Sequence, residues 1–261
     1  MPSPQRVALN REALVSALDG TGWRRVDVVE DTGSTNADLV ARAAAGEDIA
    51  GAVLLAEHQS AGRGRHGRRW SAPPRTQIAV SVGVDTTGVA PESWGWLPLL
   101  TGLAVAASVR SHGVDATVKW PNDVLAGSGK LAGILAEVAA PVVVVGVGLN
   151  VGFDASDVPD PNAVSMAMLG ADVDRTELAA TLLRTLSGRI EQWRAGDVAL
   201  AADYRGISST IGTRVRALLP GDDEIIGVAI DVDDGGRLII DRDGSPVTVS
   251  AGDITHLRPA D

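Results

Sequence analysis

A chain of 261 residues that is 45% hydrophobic can build one substantial core and a small second one, and its net charge of −10 gives no bulk attraction for nucleic acid or anionic lipid. The absence of cysteine excludes a disulfide scaffold and thiolate chemistry. No run approaches the roughly 18 apolar residues of a membrane span, no apolar signal segment opens the chain, and His58, His66, His112 and His256 are too scattered for a zinc site, so a cytoplasmic protein without dedicated metal ligands is expected.

Residues 11–18 read as a short amphipathic helix and RRVDVVED (24–31) as a strand. GSTNADLVARAAAGED (33–48) reads as a helix capped by Ser34 or Thr35, and AVLLAE (52–57) as a strand that runs into the loop AGRGRHGRRW (61–70). TQIAVSVGV (76–84) predicts a strand, and residues 93–113 a long apolar helix ending at Gly113. Strands then follow quickly: DATVKW, DVLA, a GSG turn, LAGILAEV and VVVVGVGLNV, an order that points to an antiparallel or mixed sheet rather than repeated βαβ units. Two helices follow, over residues 177–196 and 198–207. From Gly212 short strands (TRVRALL, IIGVAIDV, GRLIID, PVTVS) alternate with the acidic turns PGDDE, DDGG and RDGS, which predicts a small β-barrel. The expected class is therefore α+β, with one domain over residues 1–211 and the barrel over 212–261.

The loop at 61–70 contains Gly62-x-Gly64-x-x-Gly67, the spacing of a dinucleotide-binding turn. That turn needs a helix to begin at the glycines, and Pro73 and Pro74 forbid one. Kinase and P-loop readings fail as well, since the residues that should follow Gly67 and Lys130 are missing. What remains is a cation-rich loop between strands, able to close over an anionic ligand. Arg63, Arg65, Arg68 and Arg69 repel one another and nothing apolar anchors them before Trp70, so the free loop is expected to be mobile.

Of the 23 cationic residues only Lys119 and Lys130 are lysine. Where lysine survives such a bias toward arginine, a compact point charge is required. KWPND (119–123) sets Lys119 at a strand end before a turn that presents Asn122 and Asp123. KLAGILAE (130–137) sets Lys130 at the start of another strand, with Gly133 admitting a ligand against the backbone. Folded together, the two lysines converge on one anion. Gly146 and Gly148, in an otherwise β-branched strand, are costly unless something packs against them.

GSTN (33–36), EHQSAGRGRHGRRW (57–70), KWPND, KLAGILAE and VGVGLNV (145–151) together resemble, in family order, the motifs of the biotin protein ligases. The likeness runs from about residue 30 to 150, and the C-terminal segment is similar to that family's SH3-like domain. The resemblance implies a biotinyl/lipoyl ligase-type catalytic domain that uses ATP and Mg²⁺ to convert biotin to biotinyl-5′-AMP and pyrophosphate. It then biotinylates a lysine of the biotin carboxyl carrier domain of an acyl-CoA carboxylase. By family position, Ser34, Thr35, Asn36 and Gln59 hold biotin, with Gly62 and Gly133 giving backbone contacts. Arg63 and Arg65 close over carboxylate and phosphates, Arg68 aids the polyphosphate, and Lys130 bridges carboxylate and α-phosphate beside Lys119. Trp70 stacks on adenine, Asn122 and Asn150 contact the nucleotide, and Asp123 accepts a proton from, or orients, the carrier lysine. Some family members carry an N-terminal helix-turn-helix; about 30 residues precede Gly33 here, so DNA binding is not expected. Two competing readings are a lipoate or octanoate ligase, which needs no ureido-binding set, and an RNA-binding protein that uses the arginine loop and Trp70.

Overall fold

Alternation along the strands decides which helix covers which face of the sheet. A computed structural model of the chain describes residues 6–157, 160–219, 223–254 and 256–260. Seven strands form the first sheet: β1 (Arg25–Thr32), β2 (Ala52–Gln59), β3 (Gln77–Asp85), β4 (Thr117–Lys119), β5 (Asp123–Ala126), β6 (Gly129–Ala139) and β7 (Val142–Asn150), in the order β1-β2-β3-β7-β6-β5-β4. β1 and β2 pair in parallel, joined by helix α2 (Thr35–Ala44), and the other ladders are antiparallel. The mixed sheet expected from the sequence is what forms.

In β7 the odd residues Val143, Val145, Val147 and Leu149 enter the main core with helices α3 (Trp96–Arg110) and α4 (Arg175–Arg194). Val142 and Val144 instead join Leu39 of α2 in a smaller cluster on the opposite face. That face continues past α2 as the floor of a cavity. Ser34 caps α2, its side chain accepting from the Ala37 amide, which settles the choice between Ser34 and Thr35. Helix α1 (Arg11–Ala17) packs on α4 and β1. The helix expected over 93–113 starts only at Trp96 and ends at Arg110. At Gly95, just before the helix, a Cβ would lie 2.2 Å from the carbonyl of Gly235 in the C-terminal segment.

After α5 (Ala199–Ile207) come β8 (Arg214–Leu218), β9 (Glu224–Val232), β10 (Leu238–Arg242), β11 (Ser245–Val249) and β12 (His256–Pro259), in the order β11-β10-β9-β8-β12. This five-stranded antiparallel sheet agrees with the expected small barrel, although β12 carries no readable alternation and is found only through its pairing with β8. Part of the PGDDE turn, residues 220–222, lies outside the described residues. Two indoles fasten this sheet to the first: Trp96 Nε1 donates to the Asp233 carbonyl at 3.1 Å and Trp120 Nε1 to that of Gly236 at 3.0 Å.

Candidate active site

Strand register assembles the floor of the cavity from residues distant in sequence. Lys119 pairs with Asp123, Asp123 with Gly133, Gly133 with Gly148 and Gly148 with Ala79, so one row across β4-β5-β6-β7-β3 carries charge at one end and small residues in the middle. The neighbouring row runs Leu135, Gly146, Ser81. Together these rows form a trough with a volume of about 510 Å³, large enough for a small-molecule substrate.

Lys130 reaches the trough because of a bulge. Val124 pairs with Ala132 and Leu125 with Lys130, so Leu131 is skipped. Without that extra residue the two-residue period from Gly133 would send Lys130 to the opposite face. Its Nζ lies 2.7 Å from Asp123 Oδ1 and 5.5 Å from the centre of the Trp70 ring. Lys119 and Lys130, the only lysines of the chain, therefore line one cavity, as the sequence suggested. Asn122 and Asn150 line it as well, each with its amide nitrogen committed to backbone: Asn122 Nδ2 donates to Ile134 O at 2.9 Å, and Asn150 Nδ2 to Val164 O at 3.0 Å.

At the other end, the start of α2 supplies hydroxyl and amide groups. Gln59 Oε1 accepts from the Thr35 amide at 2.9 Å and its hydroxyl at 3.1 Å, and Ser81 Oγ lies 2.7 Å from Thr35 Oγ1. Ser34, Thr35, Asn36 and Gln59 all line the cavity. Asn36 is already engaged, its Nδ2 donating to Glu137 Oε2 at 2.9 Å and to Leu135 O at 3.1 Å, while Ser81 Oγ lies 2.6 Å from its Oδ1. A Cβ at Gly146 would come within 2.1 Å of Asn36 Oδ1, which explains the first glycine of VVVVGVGLN.

Trp70 explains the second. A Cβ at Gly148 would lie 2.3 Å from Trp70 Cε2, and one at Gly133 3.0 Å from Trp70 Cζ3. Thus Gly133, expected to admit a ligand, admits the indole. The indole Nε1 donates to Gln77 Oε1 at 2.7 Å.

The arginine loop is formed rather than unanchored. Arg63 and Arg69 make an antiparallel bridge, Gly64 N donates to Arg68 O at 2.7 Å, and Trp70 N to Gly62 O at 2.9 Å. The sequence did not reveal its outer anchor, which lies in the second sheet's segment. Arg65 Nη2 donates to the carbonyls of Ala251 and Ile254, and His66 Nε2 lies 2.9 Å from Ile254 O. Burial lowers the pKa of the Arg65 guanidinium, the neighbouring Arg68 charge adds to this, and Asp123 opposes it. Arg63 Nη2 reaches Glu137 Oε2 at 3.3 Å. Arg63, Arg65, Arg68 and Trp70 line the cavity; Gly62 instead closes the base of the loop, where a Cβ would meet Trp70 O at 2.4 Å.

Sequence reading passed over Gln77, Ser81 and Glu137, and also the 160–163 segment, where Asn162 O accepts from Lys130 N at 2.7 Å. A serine inside TQIAVSVGV and a glutamate inside KLAGILAE were the available signals. Among the described residues no three His, Cys, Asp or Glu side chains converge as metal ligands would, and no helix is long and apolar enough to cross a membrane.

Comparison with known proteins places residues 34–154 in the biotin/lipoate A/B protein ligase family, and residues 210–257 match the biotin protein ligase C terminal domain. The chain is 57% identical over 253 residues to the biotin--[acetyl-CoA-carboxylase] ligase of Mycobacterium tuberculosis, covering 95% of this chain and 94% of that one. It is 31% identical to the bifunctional ligase/repressor BirA of Escherichia coli, covering 100% of this chain and 81% of the relative. Among solved structures, the biotin protein ligase from Aquifex aeolicus in complex with biotin and ATP shares the fold with a TM-score of 0.79 at 23% identity, over 91% of this chain and 100% of that one.

Proposed function

The chain belongs to the biotin protein ligase family, and on that premise we propose that it is an ATP-dependent biotin protein ligase whose catalytic unit, residues 1–211, precedes a barrel over 212–261. The observation that carries the reading is that the chain's only two lysines meet four loop arginines and the hydroxyl-amide cluster of α2 in one cavity. Such a site suits a ligand with a ureido group at one end and a carboxylate at the other, with ATP beside it.

In the first step a biotin carboxylate oxygen attacks the α-phosphorus, the bond to the bridging oxygen breaks, and pyrophosphate leaves as its Mg²⁺ complex. Ser34, Thr35, Asn36 and Gln59 hold the ureido group, while Gly133, lacking a Cβ, leaves room for the indole beside it. Lys130 and Lys119 neutralise the charge that grows between carboxylate and phosphate, and Arg63, Arg65 and Arg68 close over the phosphates. Trp70 stacks on adenine, while Asn122 and Asn150 fix the nucleotide. Closure also keeps water from the mixed anhydride. In the second step the carrier lysine's amine attacks the biotinyl carbonyl carbon and AMP leaves. Asp123, freed from Lys130 as that lysine turns to the phosphate, takes or orients the amine proton.

The carrier domain of an acyl-CoA carboxylase is the assigned acceptor, and the cytoplasm, where ATP and carboxylases meet, is the assigned place. Repressor activity belongs to the E. coli relative by name and forms no part of this reading. Pyrophosphate release from MgATP that depends on biotin, and is not supported by lipoate or octanoate, is the expected result; release with lipoate or octanoate alone would overturn it.

A further inference from the structure

A buried ion pair lies behind Trp70 and touches no part of the cavity. Glu57 is 2% exposed on β2, and Arg175, the first residue of α4, is 8% exposed. Arg175 Nη2 lies 2.6 Å from Glu57 Oε2 and donates to the Val7 carbonyl at 2.6 Å, while Nη1 donates to the Gln77 carbonyl at 2.9 Å. Glu57 Oε1 accepts the Leu9 amide, and the Glu57 carbonyl accepts from Arg75 N at 2.9 Å. A cation in the first turn of a helix opposes the helix dipole, so α4 gains nothing from an arginine there. What Arg175 does is hold three chain segments at one point.

Gln77 connects that point to the cavity. It is fully buried, its backbone is held by Arg175, and its side-chain Oε1 accepts the Trp70 indole N–H at 2.7 Å. Because an indole only donates, that bond fixes which end of the amide faces Trp70, and it leaves the buried Nε2 without a partner among the described residues. A buried amide left half-satisfied is retained at a cost, which points to a task for the oxygen.

We propose that Glu57 and Arg175 are positioning residues for the nucleotide: by clamping the 7–9 segment and the Gln77 backbone, they set, through the Gln77 amide, the plane of Trp70 over Lys130. This rests on the reading of Trp70 as the adenine platform. The test is the biotin-dependent pyrophosphate release of the full chain, with MgATP and biotin varied separately. The paired substitution Glu57→Leu with Arg175→Met removes both charges together, so neither is left buried alone. Its KM for ATP is expected to rise about tenfold while that for biotin stays within about twofold, a misplaced platform being felt by the ligand that stacks on it. Gln77→Leu is expected to do the same, and combining it with the pair to add less than about twofold, because the residues act in series. Arg175→Lys keeps the charge but loses the fork, and is expected to raise the KM for ATP even if the paired variant does not fold. An unchanged KM for ATP in a folded paired variant or in Arg175→Lys, an equal rise in both KM values, or multiplying effects would overturn the proposal. Trp70→Ala separates the two readings: if it leaves the KM for ATP unchanged, the platform assignment itself has failed.

Discussion

Gly148→Ala tests the seat of Trp70 with a single methyl group. The added carbon would lie 2.3 Å from Trp70 Cε2 and 2.4 Å from Nε1. Carbon atoms in ordinary contact stand about 3.5 Å apart, so the ring must retreat by roughly 1.2 Å or the β7 backbone must give. β7 is paired on both sides, to β3 and β6, and the ring carries only the Gln77 hydrogen bond, so the ring moves. Overpacking of this kind costs about 1–3 kcal/mol. In the free variant the ring can shift and shed this strain, since its N–H makes only the Gln77 bond. In the ATP complex the indole is needed in place, so the penalty falls on the bound state and the KM for ATP rises roughly five- to 150-fold, with one decade for each 1.36 kcal/mol. Steady-state pyrophosphate release measures this, with Trp70→Ala in the same background as control: once the indole is gone, Gly148→Ala adds nothing. A KM for ATP unchanged in Gly148→Ala, or an undiminished effect without Trp70, would show that Gly148 does not seat the indole for ATP.

Gly146→Ala, two residues earlier, presses on Asn36 Oδ1 instead, within 2.1 Å, and is expected to raise the KM for biotin rather than for ATP, so the two glycines separate the two ligands in one assay. Lys130→Arg is expected to lose at least about 100-fold in biotin-dependent pyrophosphate release, because a broad planar head cannot replace a point charge held 2.7 Å from Asp123; a near-normal rate would count against the charge-bridging role. Saturating biotin with MgATP is expected to protect the bonds after Arg63, Arg65, Arg68 and Arg69 from trypsin, as read by peptide mass mapping; undiminished cleavage there would show that the loop is not a lid.

Much of the site was legible because its chemistry is written in short motifs. The two lysines stood out against the arginine bias, and GSTN, KWPND and KLAGILAE each brought a residue to the same cavity. Gly146 and Gly148 announced that something must pack against β7, but the partners, Asn36 and Trp70, come from 110 and 78 residues away and depend on register. Register also hid the bulge at Leu131 that turns Lys130 into the cavity, since one skipped residue leaves no mark in composition. The loop's outer anchor was invisible for another reason: backbone carbonyls of Ala251 and Ile254 accept from Arg65, and a carbonyl has no sequence signature. For the same reason β12 was missed, a four-residue strand defined by its partner. The buried Glu57 looked like the last residue of a strand, and only the fold shows that Arg175 waits for it 118 residues later.

Every role proposed for the cavity serves the transfer of biotin to protein. The direct measurement is to incubate the chain with biotin, MgATP and a biotin carboxyl carrier domain, and to record the intact mass of the carrier. The expected result is the gain of one biotinyl group, located on a single lysine and absent when either biotin or ATP is withheld. An intact, folded carrier whose mass does not change would contradict it.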